Sequence, residues 1–255
     1  MEFGAWDGIY LSNVRSLITQ QQYSAILIEG SKNKYEECRK NYSENENIIA
    51  LNKFVGYSNT DNLDHILKDT PIPKDFDFLS IDVDGNDYHI WKAMSEYSPK
   101  LVCIEFNPTI PTEVRYVQEA DPSVNQGNSL LALVELGKQK GYELVSVLSW
   151  NAFFVKSEYF PLFDINDNSP VTLRKSLDEI TYMFVGFDGK VILDGNSSLP
   201  WHGIKFRENN VQQIPKIFQK YPGNYTKIEN ILFRIYRSYR KRFAKAVDIF
   251  SRRNN

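Results

Sequence analysis

Acids and small polar residues recur together along this chain: Glu2 with Gly4, Glu29 with Gly30, Asp82 with Asp84, and Glu105 with Asn107. Glu2, Gly4 and Gly8 fit the spacing acidic-x-Gly-x-x-x-Gly. That spacing suits a loop whose backbone approaches a ligand closely, because glycine has no Cβ. Glu29 follows about twenty residues later, where an acid can accept hydrogen bonds from both hydroxyls of an adenosine ribose. The full G-x-G-x-x-G fingerprint is absent, and Glu2 would attract a cationic amine better than a pyrophosphate. The pattern points to a nucleoside carrying an amino acid and a sulfonium rather than to a dinucleotide.

The stretch IDVDGND places Asp82, Asp84, Asn86 and Asp87 like the first half of a calcium loop, but the distal glutamate is missing, which excludes an EF-hand. With Glu105, these oxygens could hold magnesium and lower the pKa of a substrate hydroxyl. A metal is not favoured: Asp82 is expected to serve the cofactor, and Asn86 or Asp87 to cap the next helix. Asp84, just past its strand, is the first candidate for the base that takes an acceptor proton. His202, in LPWHGIKF, is the second; His65 and His89 fall on predicted helices and are expected to be structural.

Short apolar runs followed by helix-period segments must position these residues. Leu11, Val14, Leu17 and Ile18 predict a helix over 11–22, SAILIEG a buried strand, and Tyr35, Cys38 and Tyr42 a second helix before the strand NIIAL. The alternation continues through DNLDHIL, DFDFLSID, the helix marked by Ile90, Trp91 and Met94, LVCIEF, and SLLALVELGKQKG closed by Gly141. YELVSVLSW and AFFV follow too closely for a helix between them. This predicts a doubly wound, mostly parallel α/β sheet with one antiparallel partner at its edge, and ligands at the carboxyl ends of its strands. Only Met1–Phe3 remain for the first strand, which reads as the end of a strand whose beginning lies upstream.

With 255 residues, 42% hydrophobic and 24% charged, the chain can build one substantial core plus an appendage. A net charge of -2 gives no global reason for a nucleic-acid partner. The two cysteines, Cys38 and Cys103, show no paired metal spacing and no disulfide framework, which favours a cytoplasmic setting. No apolar run is long enough to span a bilayer.

EFGAWDGIYLSN, AILIEGSKNKYEECRKNY, DFLSIDVDGNDYHIWKAM, LVCIEFN and NAFFV, in this order and spacing, resemble a class I S-adenosylmethionine-dependent methyltransferase of the FkbM type, over roughly residues 1–155. The resemblance implies a Rossmann-like fold and S-adenosylmethionine as cofactor. Gly4, Ala5, Trp6 and Gly8 would wrap its methionine part, Glu29 and Gly30 would hold the ribose, Phe54 would pack on adenine, and Asp82 would lie under the sulfonium end. Trp6 could equally cover a core edge, and Glu2 and Glu29 could be helix caps or surface pairs. The family's link to O-methylation of sugars and natural products implies a small-molecule or glycan acceptor. Asn86, Asp87, Glu105 and Asn107 are candidate acceptor contacts.

Residues 108–127 form a long connection expected to cover the acceptor, with Arg115, Tyr116 and Asn125 as polar contacts. ITYMFVGFDGKVILDG predicts a hairpin about Asp188–Gly189. The expected organisation is therefore a cofactor-binding domain over 1–155, a hairpin-containing appendage over 156–224, and a basic amphipathic helix over 225–255. In that helix Ile228, Leu232, Ile235, Tyr239, Ala246 and Phe250 form one stripe, and Arg234, Arg237, Lys241 and Lys245 another. It could lie on an anionic membrane, or pack on the domain or on a second subunit as a homodimer. The leading expectation is a sugar or glycan O-methyltransferase. An RNA methyltransferase is suggested only by the basic tail, and a non-catalytic module keeping the fold is the alternative from another class.

Overall fold

The computed structural model describes residues 1–251, with side chains described as far as Arg242. It divides into two units, Met1–Leu177 and Asp178–Asn255. The first unit contains a seven-stranded sheet. Its strands are β1 (Glu2–Phe3), β2 (Ala25–Glu29), β3 (Ile48–Asn52), β4 (Phe78–Ile81), β5 (Leu101–Glu105), β6 (Tyr142–Val147) and β7 (Asn151–Lys156). Their order across the sheet is β3-β2-β1-β4-β5-β7-β6. β1 is only two residues long, yet it pairs in parallel with both β2 and β4. The antiparallel pairing falls at the far edge, where β7 runs against both β5 and β6.

Apolar alternation in β2 sends Ile26 and Ile28 to one face and Ala25 and Leu27 to the other, and all four are buried. One face carries α1 (Arg15–Gln21) and α2 (Lys32–Asn41), whose Ile18 and Cys38 join Ala25 and Leu27. The other carries α3 (Leu63–Leu67), α4 (Asp87–Ala93) and α5 (Leu130–Gln139), which pack Leu63, Trp91 and Leu133 against Ile28, Leu79 and Ile104. The first helix starts later than Leu11, which is exposed with φ +54°. Loop residues 4–14 therefore reach farther before the helix begins. Gly141, just beyond α5, has φ +81°, the left-handed conformation expected of a helix-ending glycine. This unit continues past Val155 through a 3₁₀ turn and α6 (Pro170–Leu173) to Leu177.

The second unit contains the expected hairpin, β8 (Thr181–Val185) against β9 (Val191–Gly195), and a smaller pair, β10 (Ser198–Leu199) with β11 (Ile204–Lys205). The Gln212 side chain, just past α7 (Glu208–Val211), bonds both the amide and the carbonyl of Val191. The last helix, α8 (Lys227–Ser251), rests Phe233 and Tyr236 on Phe218. The side chains of Lys245, Ala246 and Phe250 lie beyond those described, and Arg252 and Arg253 lie outside the described residues.

Candidate active site at the carboxyl edge of the sheet

Parallel strands bring the carboxyl ends of β1 to β5 to one edge, and the order reverses direction at β1 and β4, the switch point where ligands bind in open α/β sheets. Glu29, Phe54, Asp82, Asp84 and Glu105 all stand at or just beyond these ends. Glu105 lies opposite Asn151 in the ladder. Because β7 is antiparallel, its first residue therefore arrives at the same edge.

Glu29 is buried, and its two oxygens accept from the Trp6 amide at 2.8 Å and the Ser31 amide at 2.7 Å. A carboxylate has about four lone-pair directions, so two stay available to a ligand. Phe54 is 66% exposed and borders Gly30, whose added Cβ would lie 3.7 Å from the ring. Trp6 is 48% exposed with φ +52°, and the Lys34 ammonium sits 4.7 Å from its ring centre. Glu29, Phe54 and Trp6 thus offer a hydrogen-bond acceptor and two aromatic surfaces at one edge, a lining whose chemistry fits a nucleoside.

Glu2 and the glycines serve the protein first. Glu2 is buried, with one oxygen taking the Ser12 hydroxyl at 2.6 Å and the other the Asn13 amide at 2.7 Å. Asn13 in turn bonds the buried Ser80 hydroxyl of β4. Glu2 therefore pins the loop before α1 instead of reaching out to a cationic amine. Gly4 has φ +71°, and a Cβ there would lie 2.1 Å from the Asp82 carbonyl oxygen. A Cβ on Gly8 would meet Tyr42 at 2.7 Å and Cys38 at 2.9 Å. The close approaches that require glycine are thus to β4 and α2. Ala5 is buried under the same loop.

Asp82, Asp84 and Glu105 each offer a carboxylate oxygen within 4.8 Å of the others. Burial, reinforced by Asp87, Asp84 and Glu2, pushes the Asp82 carboxyl up to about 7. Burial, reinforced by Asp82, Asp87 and Asp84, pushes Glu105 up to about 8. The cluster can therefore hold protons near neutral pH, or attract a cation. Asp84 is the exposed member and adopts φ +56°, a left-handed conformation that aspartate tolerates better than most residues.

Several expected acceptor contacts have other partners. Asp87 is buried, and its carboxylate takes the Val83 and Gly85 amides, holding the turn after β4. It is neither exposed nor open to a substrate. Asn86 precedes α4 without a side-chain cap bond; its amide nitrogen donates to the Asp121 carbonyl, and its buried Oδ1 has no partner among the described residues. Asn107 spends its side chain on Gln126 and Thr109. Arg115 is exposed and paired with Glu135 at 2.7 Å, and the Tyr116 hydroxyl bonds Gln126. His202 belongs to the second unit, in the turn that joins β10 and β11.

Residues 107–128 are stitched to this edge by Gln118, Asn128 and Arg174, which carry no signal in the sequence, and by Asn125, an expected acceptor contact whose side chain is spent on the protein instead. Buried Gln118 accepts from the Gln126 and Gly127 amides and donates to the Val124 carbonyl. Buried Asn128 donates to the Gly85 carbonyl at 2.7 Å, and Asn125 to the Asp84 carbonyl at 2.9 Å. Arg174 is buried, bonds the Pro108 and Ile110 carbonyls, and lies 5.2 Å from the Phe106 ring centre. Asn151 is also new, its Oδ1 buried beside Glu105 without a partner among the described residues. Its one advance signal was its place at the start of an antiparallel strand.

A separate cavity of about 550 Å³ opens at the opposite edge, among Met1, Ile18, Ile26, Ile72 and Phe76. None of the candidate residues lines it.

No protein-family model matches the chain, and no curated protein matches it. Among solved structures, the chain is similar to a SAM dependent methyltransferase from Aquifex aeolicus, with 11% identity over 60% of this chain and 78% of that one and a TM-score of 0.36. It is also similar to the N-terminal domain of EvdMO1, crystallised in the presence of SAH and D-fucose, with 10% identity, 60% and 72% coverage and a TM-score of 0.39. A third is the glycopeptide N-methyltransferase MtfA complexed with S-adenosyl-L-methionine, with 11% identity, 61% and 80% coverage and a TM-score of 0.36.

Proposed function

We propose that the chain is an S-adenosylmethionine-dependent O-methyltransferase acting on a hydroxyl of a sugar, glycan precursor or related small molecule. The observation that carries this reading is the placement of buried Glu29 and exposed Phe54 beside the carboxylates Asp82, Asp84 and Glu105 at one switch-point edge. Glu29 would accept from the ribose hydroxyls, Phe54 would cover the base, and residues 4–8 would shape the methionine end. When bound, the cofactor supplies an electrophilic methyl group on a sulfonium.

What the chain itself must do is orient the acceptor and receive its proton. Holding reactants in line contributes several kcal/mol, up to about 7–11 in the best cases. Asp84, the exposed carboxylate, receives the proton of the acceptor hydroxyl on one oxygen. Asp82 and Glu105, whose carboxyls titrate near and above neutrality, lie close enough to share it. The three oxygens form a proton reservoir, and the reading needs no metal.

Calorimetry with S-adenosylmethionine and S-adenosylhomocysteine tests the cofactor site first, and micromolar binding is expected. A screen of sugar acceptors by mass spectrometry then tests turnover. Asp84→Asn should lower kcat by about 10²–10⁴-fold with little change in cofactor affinity, the range for loss of a general base. Cofactor binding without transfer to any hydroxyl acceptor would favour a non-catalytic module.

A further inference from the structure

The last helix turns one face to its own unit and leaves another uncovered. Phe233 and Tyr236 of α8 pack on Phe218 and Tyr225, and Arg240 bonds Gln213. Ile228, Ile231, Leu232 and Ile235, a second stripe at helical spacing, are 70%, 59%, 46% and 62% exposed. Lys227, Arg234 and Lys241 recur two turns apart along the far border of that stripe, and all three are exposed. The helix thus has a docked aromatic face, an uncovered aliphatic stripe and a basic border.

Charge favours one kind of occupant for the stripe. Residues 225–255 hold nine Lys and Arg against Glu229 and Asp248, a net of +7, whereas the whole chain is -2. Glu229 is bonded to Lys220 at 2.5 Å, so it offers little repulsion to an anionic surface. Among the described residues no helix is long and apolar enough to cross a membrane. A helix with low net hydrophobicity, an aliphatic stripe and a basic border suits the plane of a lipid interface, where apolar side chains enter the acyl boundary and Lys and Arg meet headgroups.

We propose that α8 docks this protein on anionic membrane surfaces, inserting Ile228, Ile231, Leu232 and Ile235 while Lys227, Arg234 and Lys241 pair with lipid phosphates. The body carries the opposite charge, so attraction rests on this helix. Each basic residue near such a surface is worth about fivefold in affinity.

The test is co-sedimentation of the full chain with vesicles of phosphatidylcholine alone or with about 30% phosphatidylglycerol, a composition that supplies the negative surface potential. Partitioning should be at least about tenfold stronger on the anionic vesicles and should weaken with salt. Ile231→Asp with Ile235→Asp, and separately Arg234→Glu with Lys241→Glu, should each lower it at least about tenfold. Arg234→Lys should retain it. These positions are exposed, so circular dichroism and cofactor affinity should match the parent in every variant. Equal sedimentation with both vesicle types, or insensitivity to both double substitutions, would overturn the proposal. So would a dimer in light scattering that Ile231→Asp with Ile235→Asp dissociates while vesicles recruit nothing, or salt-sensitive RNA binding in place of vesicle binding.

Discussion

Trp6 and Glu29 are joined by a hydrogen bond of 2.8 Å, from the backbone amide of one to Oε2 of the other. The carboxylate proposed to hold the ribose therefore also fixes the loop that follows β1, and the two halves of the proposed cofactor site are mechanically one.

Glu29→Ala removes both the ligand acceptor and this tie. Hydrogen bonds to charged groups contribute about 1.5–3 kcal/mol each, so cofactor affinity should fall by at least about tenfold. Calorimetry on the variant checks this, and an unchanged dissociation constant would place the nucleoside elsewhere. Phe54→Ala should weaken binding more mildly and leave thermal stability unaltered, because its ring is exposed.

Gly4→Ala should act on the fold itself. The new Cβ would meet the Asp82 carbonyl at 2.1 Å, and φ +71° is unfavourable for alanine. A left-handed alanine alone costs about 1–2 kcal/mol, and separating β1 from β4 adds to it. A loss of at least about 2 kcal/mol, or about 4–8 °C in Tm for a unit of this size, is expected in thermal unfolding. Retained stability would show that the loop can move away from β4.

Stability should depend on pH through Asp82 and Glu105, held at about 7 and about 8. Their unfolded values are about 4, so between there and the folded values the folded chain keeps protons that the unfolded chain has released. Stabilisation from these groups is fully present below about pH 4, falls as pH rises and is gone once pH has passed through the folded values of about 7 and about 8. Burial lowers the Met1 amine to about 6, which acts in the opposite sense, so the comparison must be with a variant. Glu105→Gln should gain in Tm over the parent from about pH 5 to about pH 9, and parallel curves would mean that Glu105 is not protonated in the fold.

Arg174→Met should loosen residues 108–112 by leaving the Pro108 and Ile110 carbonyls without their guanidinium donor. A buried acceptor left unpaired costs about 1–3 kcal/mol. Faster amide exchange across residues 107–114 is expected, with a higher acceptor KM and an unchanged cofactor dissociation constant. Exchange rates equal to the parent's would show that Gln118 and Asn128 hold the loop alone.

The strand ends were legible because each follows a short apolar run, and a parallel sheet carries all such ends to one edge. The placement of Glu29, Asp82, Asp84 and Glu105 at one edge was legible in this way. A strand-end position does not reveal what a carboxylate bonds, however. Glu2 and Asp87 look ligand-facing in sequence, whereas the folded chain gives them the amides of Asn13, Val83 and Gly85. Arg174 leaves no local signal of its role at this loop, because the loop carbonyls it bonds lie 64 and 66 residues earlier. Gln118 and Asn128 read as ordinary loop polars until the loop closes around them.

The three asparagine contacts between residues 107–128 and the turn after β4 also set what can be exchanged by design. Asn125 bonds Asp84, Asn128 bonds Gly85, and Asn86 bonds Asp121. Grafting a foreign loop here would strip partners from the turn that carries the proposed base. The transferable cassette is therefore the loop together with residues 84–87, and a chimera that moves both should keep its proton-accepting geometry while changing what it recognises.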